Sequence, residues 1–247
     1  MTKFLALAAA AGLMMAASGA SAQAVNITNV AFAPGSVTGT IHSSALTGDV
    51  GIGRFEFKGT YVNGGAPLDI LTYCIDLAHS VSLGNVNYSS YTIIPISAMA
   101  TISTAKANSL NALLTNATPL LNAATGQNAI NISAATQMAV WEIMFETQPT
   151  WSVTNTSSAL YVTGSGSPLT TAESLANTYL GNVANNTWTN NNGFELKVLY
   201  SATQQSQVFA VPSVPEPATW GMLLLGFGLV GGALRHRRSN AGALAAA

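Results

Sequence analysis

The sequence predicts an α+β fold, a β-rich barrel or sandwich with helices inserted between its strands. Three observations point there. Apolar residues alternate with polar ones in the first half, apolar spacing turns helical in the middle, and alternation returns near the end. Strands from both halves would then close one sheet system around a shared core.

In residues 54–62, Phe55, Phe57 and Tyr61 point one way and Arg54, Glu56, Lys58 and Thr60 the other, as in a half-buried antiparallel strand. Asn63-Gly64-Gly65 is a turn signal. Residues 68–77 form a second strand, so the two make a hairpin. Residues 88–96 form a third, ending near Pro95. Helices are expected over 98–114, with Pro119 beyond the end, over 131–147, and over 170–183. The last has Thr170 or Thr171 as cap and Glu173 in its first turn. A polar loop covers 148–168. The final strands are 194–200, where Phe194, Leu196, Val198 and Tyr200 alternate with Glu195 and Lys197, and 207–211.

Composition narrows the function. The chain has 247 residues, of which 8 are Lys or Arg and 9 are Asp or Glu, so only 7% are charged. Soluble domains carry about 25%. Eight cations cannot build a phosphate-neutralising face, so nucleic acid is excluded as a partner. Cys74 is the one cysteine, which excludes a disulfide framework. No His-Glu-x-x-His or Cys-x-x-Cys pattern supports a metal, and no cofactor motif occurs. Gly164-Ser165-Gly166 lacks the preceding strand that a nucleophile elbow requires.

The two ends read as addresses. Residues 1–24 have the parts of a signal peptide: Lys3, an apolar run from Phe4 to Ala17, and small-x-small cleavage sites after Ala22 or Ala24. Signal peptidase is thus an expected partner. Residues 25–213 would be the mature domain. At the other end, Val214-Pro215-Glu216-Pro217 precedes an uncharged stretch from Ala218 to Leu234. Arg235, His236, Arg237 and Arg238 follow. As a helix the stretch covers about 25 Å, the lower limit for a membrane span. This order of parts resembles the PEP-CTERM sorting signal of Gram-negative bacteria, over 214–238, with 239–247 as a tail. The resemblance implies an apolar sorting helix that anchors the chain transiently in the inner membrane. It also implies recognition by exosortase near Pro215, Glu216 and Pro217, with export to the cell surface or an exopolysaccharide matrix.

Two residues inside the domain are anomalous. On a helical wheel of residues 131–147, Glu142 and Glu146 fall together with Ala135 and Ala139, the expected outward side. Val140, Trp141, Met144 and Phe145 fall opposite, and Gln137 sits at the centre of that apolar side. A buried amide without partners costs about 1–3 kcal/mol. Gln137 is either satisfied by backbone or has a special partner. Cys74 is the second anomaly, because exported chains usually pair their cysteines. Its plain reading is a small buried hydrophobe. On its strand, Leu71, Tyr73, Ile75 and Leu77 face one way and Thr72, Cys74 and Asp76 the other.

Tyr73-Cys74-Ile75-Asp76, followed by Thr136-Gln137-Met138-Ala139-Val140-Trp141, resembles the bacterial surface thioester domains, which carry an aromatic-Cys motif and a helical Gln-x-Ala-aliphatic-Trp motif. The resemblance implies an internal thioester joining the Cys74 thiol to the Gln137 acyl group. Tyr73, Trp141 and Met144 are the candidate shield against water, and Asp76 and His79 the candidate bases. The expected partner is an amine, on a surface protein or matrix. A bond used once is not an enzyme. The alternative is a noncovalent structural protein of the surface or extracellular matrix, with Cys74 and Gln137 as packing residues.

Overall fold

The computed structural model describes residues 22–148, 150–213 and 222–231. Residues 22–213 belong to one compact unit. Most of the expected signal peptide and the 239–247 tail lie outside the described residues.

Nine strands and three α-helices build the domain. They run β1 (Gln23–Phe32), β2 (Val37–Ser43), β3 (Thr47–Ile52), β4 (Phe55–Tyr61), β5 (Pro67–Cys74), β6 (Gly84–Pro95), α1 (Thr104–Ala123), α2 (Gly126–Phe145), β7 (Leu160–Thr163), α3 (Ser167–Ala184), β8 (Phe194–Tyr200) and β9 (Gln207–Pro212). Six strands close a barrel in the order β1-β4-β5-β9-β8-β6. A separate sheet has the order β3-β2-β7. The α+β expectation therefore holds, with the β part a barrel rather than a sandwich.

Local sequence explains the barrel's best-defined hairpin. β4 and β5 pair in unbroken register from Phe55↔Thr72 to Thr60↔Pro67. Gly64 and Gly65 both take positive φ in the connection, where a side chain would be strained. β1 slips register between Ile27 and Asn29 against β4. Gly59 faces that bulge, and a Cβ there would collide with the Asn26 carbonyl. β8 and β9, from the far end of the chain, fill the gap between β6 and β5.

The helices depart from expectation in three ways. α1 starts at Thr104, where the Ser103 hydroxyl accepts the Lys106 N–H, and it runs through Pro119 instead of ending before it. The apolar stripe Leu110, Leu113, Leu114, Ala117 and Leu121 continues past the proline, and its burial outweighs one lost amide. α3 begins at Ser167, with Gly166 as cap and Pro168 in the first turn. Thr170 and Thr171 are therefore inside the helix, and Glu173 lies beyond its first turn.

The third departure matters most. α2 has no outward side: every residue from Asn131 to Ile143 is buried, Glu142, Ala135 and Ala139 included, and Glu146 is also buried. The helix touches β5 of the barrel, the β3-β2-β7 sheet, and both other helices. The loop that follows the helix supplies donors to both carboxylates, although Glu142 Oε2 is buried without a partner among the described residues. Glu142 Oε1 accepts the Ser152 N–H at 2.7 Å. Glu146 accepts from Thr147, Gln148 and Ala159 at 2.6–2.9 Å. That loop also contains β7, a short strand that the polar composition of 148–168 concealed.

At the C-terminus, residues 222–231 are helical. Among the described residues no helix is long and apolar enough to cross a membrane. The remainder of the 218–234 stretch lies outside them.

Candidate functional site

Cys74 is the last residue of β5. On one side it pairs with Gln207 of β9. On the other, the β4 ladder has already ended at Phe55↔Thr72. The open edge is filled by a side chain from α2. Gln137 Oε1 accepts the Cys74 N–H at 2.8 Å, and Gln137 Nε2 donates to the Cys74 carbonyl at 2.9 Å. Both residues are fully buried. The two anomalous residues of the sequence are thus each other's neighbours, and the carboxamide has a partner for both of its polar ends.

Beyond Cys74 the strand breaks into a tight turn. The thiol donates to the Asp76 carbonyl at 3.1 Å, and the Asp76 N–H points back at the sulfur at 3.4 Å. The Asp76 carboxylate organises the turn by accepting the Ala78 and His79 amides at 2.9 and 3.2 Å. Its second oxygen meets His79 Nδ1 at 2.8 Å and the Ser206 N–H at 3.4 Å. Asp76 and His79 therefore form a pair directly after the cysteine, with His79 on the solvent side.

Burial pushes the Cys74 thiol up to about 12, although the Trp141 indole and the Asp76 backbone beside it favour the thiolate. Trp141 lies one helical turn after Gln137, and its indole N–H is buried without a hydrogen-bond acceptor. Met144, half-buried, follows on the same helix, and its carbonyl receives the Lys106 ammonium. Strand alternation puts Tyr73 on the opposite face of β5 from Cys74. Burial pushes its phenol up to about 12; the Arg54 charge and Thr136 beside it act the other way. Tyr73 thus walls the helix side of the strand.

A polar chain inside the barrel escaped the sequence reading. Thr72 donates to Gln207 Oε1 at 3.3 Å, Gln207 Nε2 donates to Gln205 Oε1 at 2.9 Å, and the Tyr91 hydroxyl donates to the Gln205 carbonyl at 2.9 Å. Gln207 is fully buried, directly across the ladder from Cys74. It follows Ser206 and opens an apolar run, so its sequence neighbours gave no signal of burial. Among the described residues no group of three or more His, Cys, Asp or Glu could hold a metal.

No curated protein and no solved structure matches the chain. Residues 213–238 match the PEP-CTERM protein-sorting motif, which contains Pro215, Glu216, Pro217 and the arginines 235, 237 and 238. That motif marks an exported protein, sorted to the surface by way of exosortase.

Proposed function

We propose that this exported protein carries an internal thioester between Cys74 and Gln137 and uses it to attach itself covalently to an amine-bearing partner. The carrying observation is the pair of hydrogen bonds that hold the Gln137 carboxamide against Cys74 in a fully buried setting.

The chemistry needs little else. The Cys74 sulfur adds to Cδ of Gln137, the C–N bond breaks, and the nitrogen leaves as ammonia, taking the thiol proton with it. In the second step an amine nitrogen adds to the same carbon, the C–S bond breaks, and the sulfur departs as the better leaving group and regains a proton. The product is an isopeptide-type amide on Gln137. Trp141 and Met144 keep water from hydrolysing the bond first, while the buried Tyr73, on the other face of β5, closes the strand from behind. The thiol is a poor nucleophile while it holds its proton, so a base must take it. The Asp76–His79 pair is next in the chain and has solvent access. A lysine amine is only about 0.1% neutral near pH 7, so the same base serves the second step. The bond reacts once, which makes the chain a covalent tether and not an enzyme. A surface protein or the exopolysaccharide matrix of a Gram-negative cell is the proposed partner. Transient anchoring in the inner membrane through the 218–234 stretch precedes release.

The same two hydrogen bonds favour a second reading. They satisfy Gln137 completely, as a noncovalent structural domain of the surface or matrix would require. Intact mass of the exported protein separates the two. The thioester makes the chain lighter by one ammonia and removes the free thiol. Cys74→Ala or Gln137→Ala abolishes the deficit, while Gln207→Ala leaves it. A wild-type protein of full mass with a titratable thiol after denaturation establishes the noncovalent reading.

A further inference from the structure

We propose that the cleft between β5 and β9 receives an extended, acidic peptide segment of a partner protein as an added strand.

The barrel is closed there by only two residue pairs, Tyr73↔Val208 and Cys74↔Gln207. Before Tyr73, β5 pairs only with β4, and after Val208, β9 pairs only with β8. The facing edges, residues 68–72 and 209–211, diverge with no strand between them. Strand edges with unpaired amides and carbonyls are templates for another chain. A cleft of about 570 Å³ fills the opening. Its walls are Ile70, Leu71, Phe209 and Val211 from the strands and Leu114 and Pro119 from α1. Leu71, at the rim, remains 42% exposed. At about 3.4 Å per residue, edges of this length accommodate four or five residues of extended peptide.

Charge selects among extended peptides. Arg54 lines the cleft next to the point where it closes. Its Nε donates to the Ala33 carbonyl at 3.1 Å, and among the described residues it makes no salt bridge. Asp69, the other charged residue of the cleft, points to the exposed rim, where it lies 3.8 Å from a Lys58 ammonium already held by Glu56 at 2.9 Å. The guanidinium is the one cation that lines the cleft and has no carboxylate on it, and its fork suits one. A small acid would satisfy Arg54 but leave the strand edges open. A neutral peptide would do the reverse. An extended segment with an Asp or Glu at its leading end does both.

The test uses the purified exported protein and a labelled seven-residue peptide of alternating threonine and valine with one glutamate. Fluorescence anisotropy should show saturable binding, about tenfold tighter than for the glutamine counterpart. A version with two prolines, which cannot complete a ladder, should not bind. Bound peptide should slow amide exchange at residues 68–72 and 209–211. Arg54→Gln should erase the preference for glutamate. Leu71→Glu, at the exposed rim and away from the Arg54–Ala33 bond, should weaken the glutamate peptide about tenfold while the domain stays folded. No binding at millimolar peptide, equal binding of the proline version, or protection confined to other strands overturns the proposal.

Discussion

Gln137 stands to Cys74 as a neighbouring strand would: one oxygen accepts the backbone N–H at 2.8 Å and one nitrogen donates to the carbonyl at 2.9 Å. A side chain from α2 thereby continues the β4–β5 ladder one step past its end. The helix and the barrel are locked at the point where the thiol sits.

This junction should be a large stability element even without any covalent bond. In a Cys74→Ala background, which keeps the backbone groups and removes the chemistry, Gln137→Leu strands one N–H and one carbonyl. Each orphan costs about 1–3 kcal/mol. Urea unfolding of the two proteins should show the midpoint drop, while Gln137→Glu in the same background recovers part of it at low pH.

Parts of this arrangement could be read from local residues. The β4–β5 hairpin follows from alternation and from Asn63-Gly64-Gly65, and β8 from four alternating apolar residues. β1 to β3 left no comparable pattern, because Gly39, Gly48 and Gly51 and many Thr and Ser residues dilute the alternation. The inward Glu142 and Glu146 were unreadable in principle, since the amides of Ser152 and Ala159 that bond to them come from a loop that a helical wheel does not contain. Gln137 stood out as a polar residue on an apolar side, but nothing local named its partner. The resemblance pointed to Cys74, and the geometry sets the two side by side. Gln207, opposite Cys74, was hidden as the polar first residue of β9, after a run of polar residues.

The thiol itself makes a sharp expectation. In Gln137→Ala no thioester can form, and the burial that pushes the Cys74 thiol up to about 12 in the wild-type fold should keep it protonated. Labelling of the folded variant by a maleimide should be slow at pH 7. It should rise about tenfold per pH unit, without a plateau, up to the limit of folding. Denaturation should release the full rate.

Glu142 should make the domain less stable as pH rises. Burial raises its carboxyl to about 7, against the backbone N–H of Ser152. Above the ordinary carboxylate range the folded chain holds a proton that the unfolded chain has lost. The contribution is complete at low pH and disappears as pH passes through about 7. Glu142→Gln should flatten the urea midpoint between pH 5 and 8 and stabilise the domain at pH 8 by about 1 kcal/mol, part of the shift being screened. For Glu146 burial acts to raise the carboxyl, but the Gln148, Thr147, Ala159 and Leu160 amides outweigh it and lower it. Its contribution has the opposite sign, present above the unfolded value and lost as pH falls through the folded one.

The start of β1 bears on the two cleavage sites expected of a signal peptide over residues 1–24. β1 begins at Gln23, which pairs with Ile93, and Ala24 pairs with Thr92. The Ala24 carbonyl accepts the Val62 N–H at 3.0 Å. A cut after Ala24 removes both pairs, and a cut after Ala22 keeps them. N-terminal sequencing of the exported protein should begin at Gln23, and a start at Val25 would show that the strand tolerates the loss.

Asp76 and His79 should separate by role. The Asp76 carboxylate accepts the amides of Ala78, His79 and Ser206, so it holds the turn that shapes the thiol's surroundings. His79 contributes one exposed side-chain contact to that carboxylate, at 2.8 Å, worth at most about 1 kcal/mol. Asp76→Ala should therefore lower the melting temperature, whereas His79→Gln should leave it nearly unchanged. If the imidazole is the base, His79→Gln should slow appearance of the ammonia-deficient mass about 10²-fold or more. An unchanged rate in His79→Gln would leave Asp76 as the proton acceptor. Asp76→Asn would then be the decisive variant, because it can keep the Oδ1 acceptor of the turn while removing the charge.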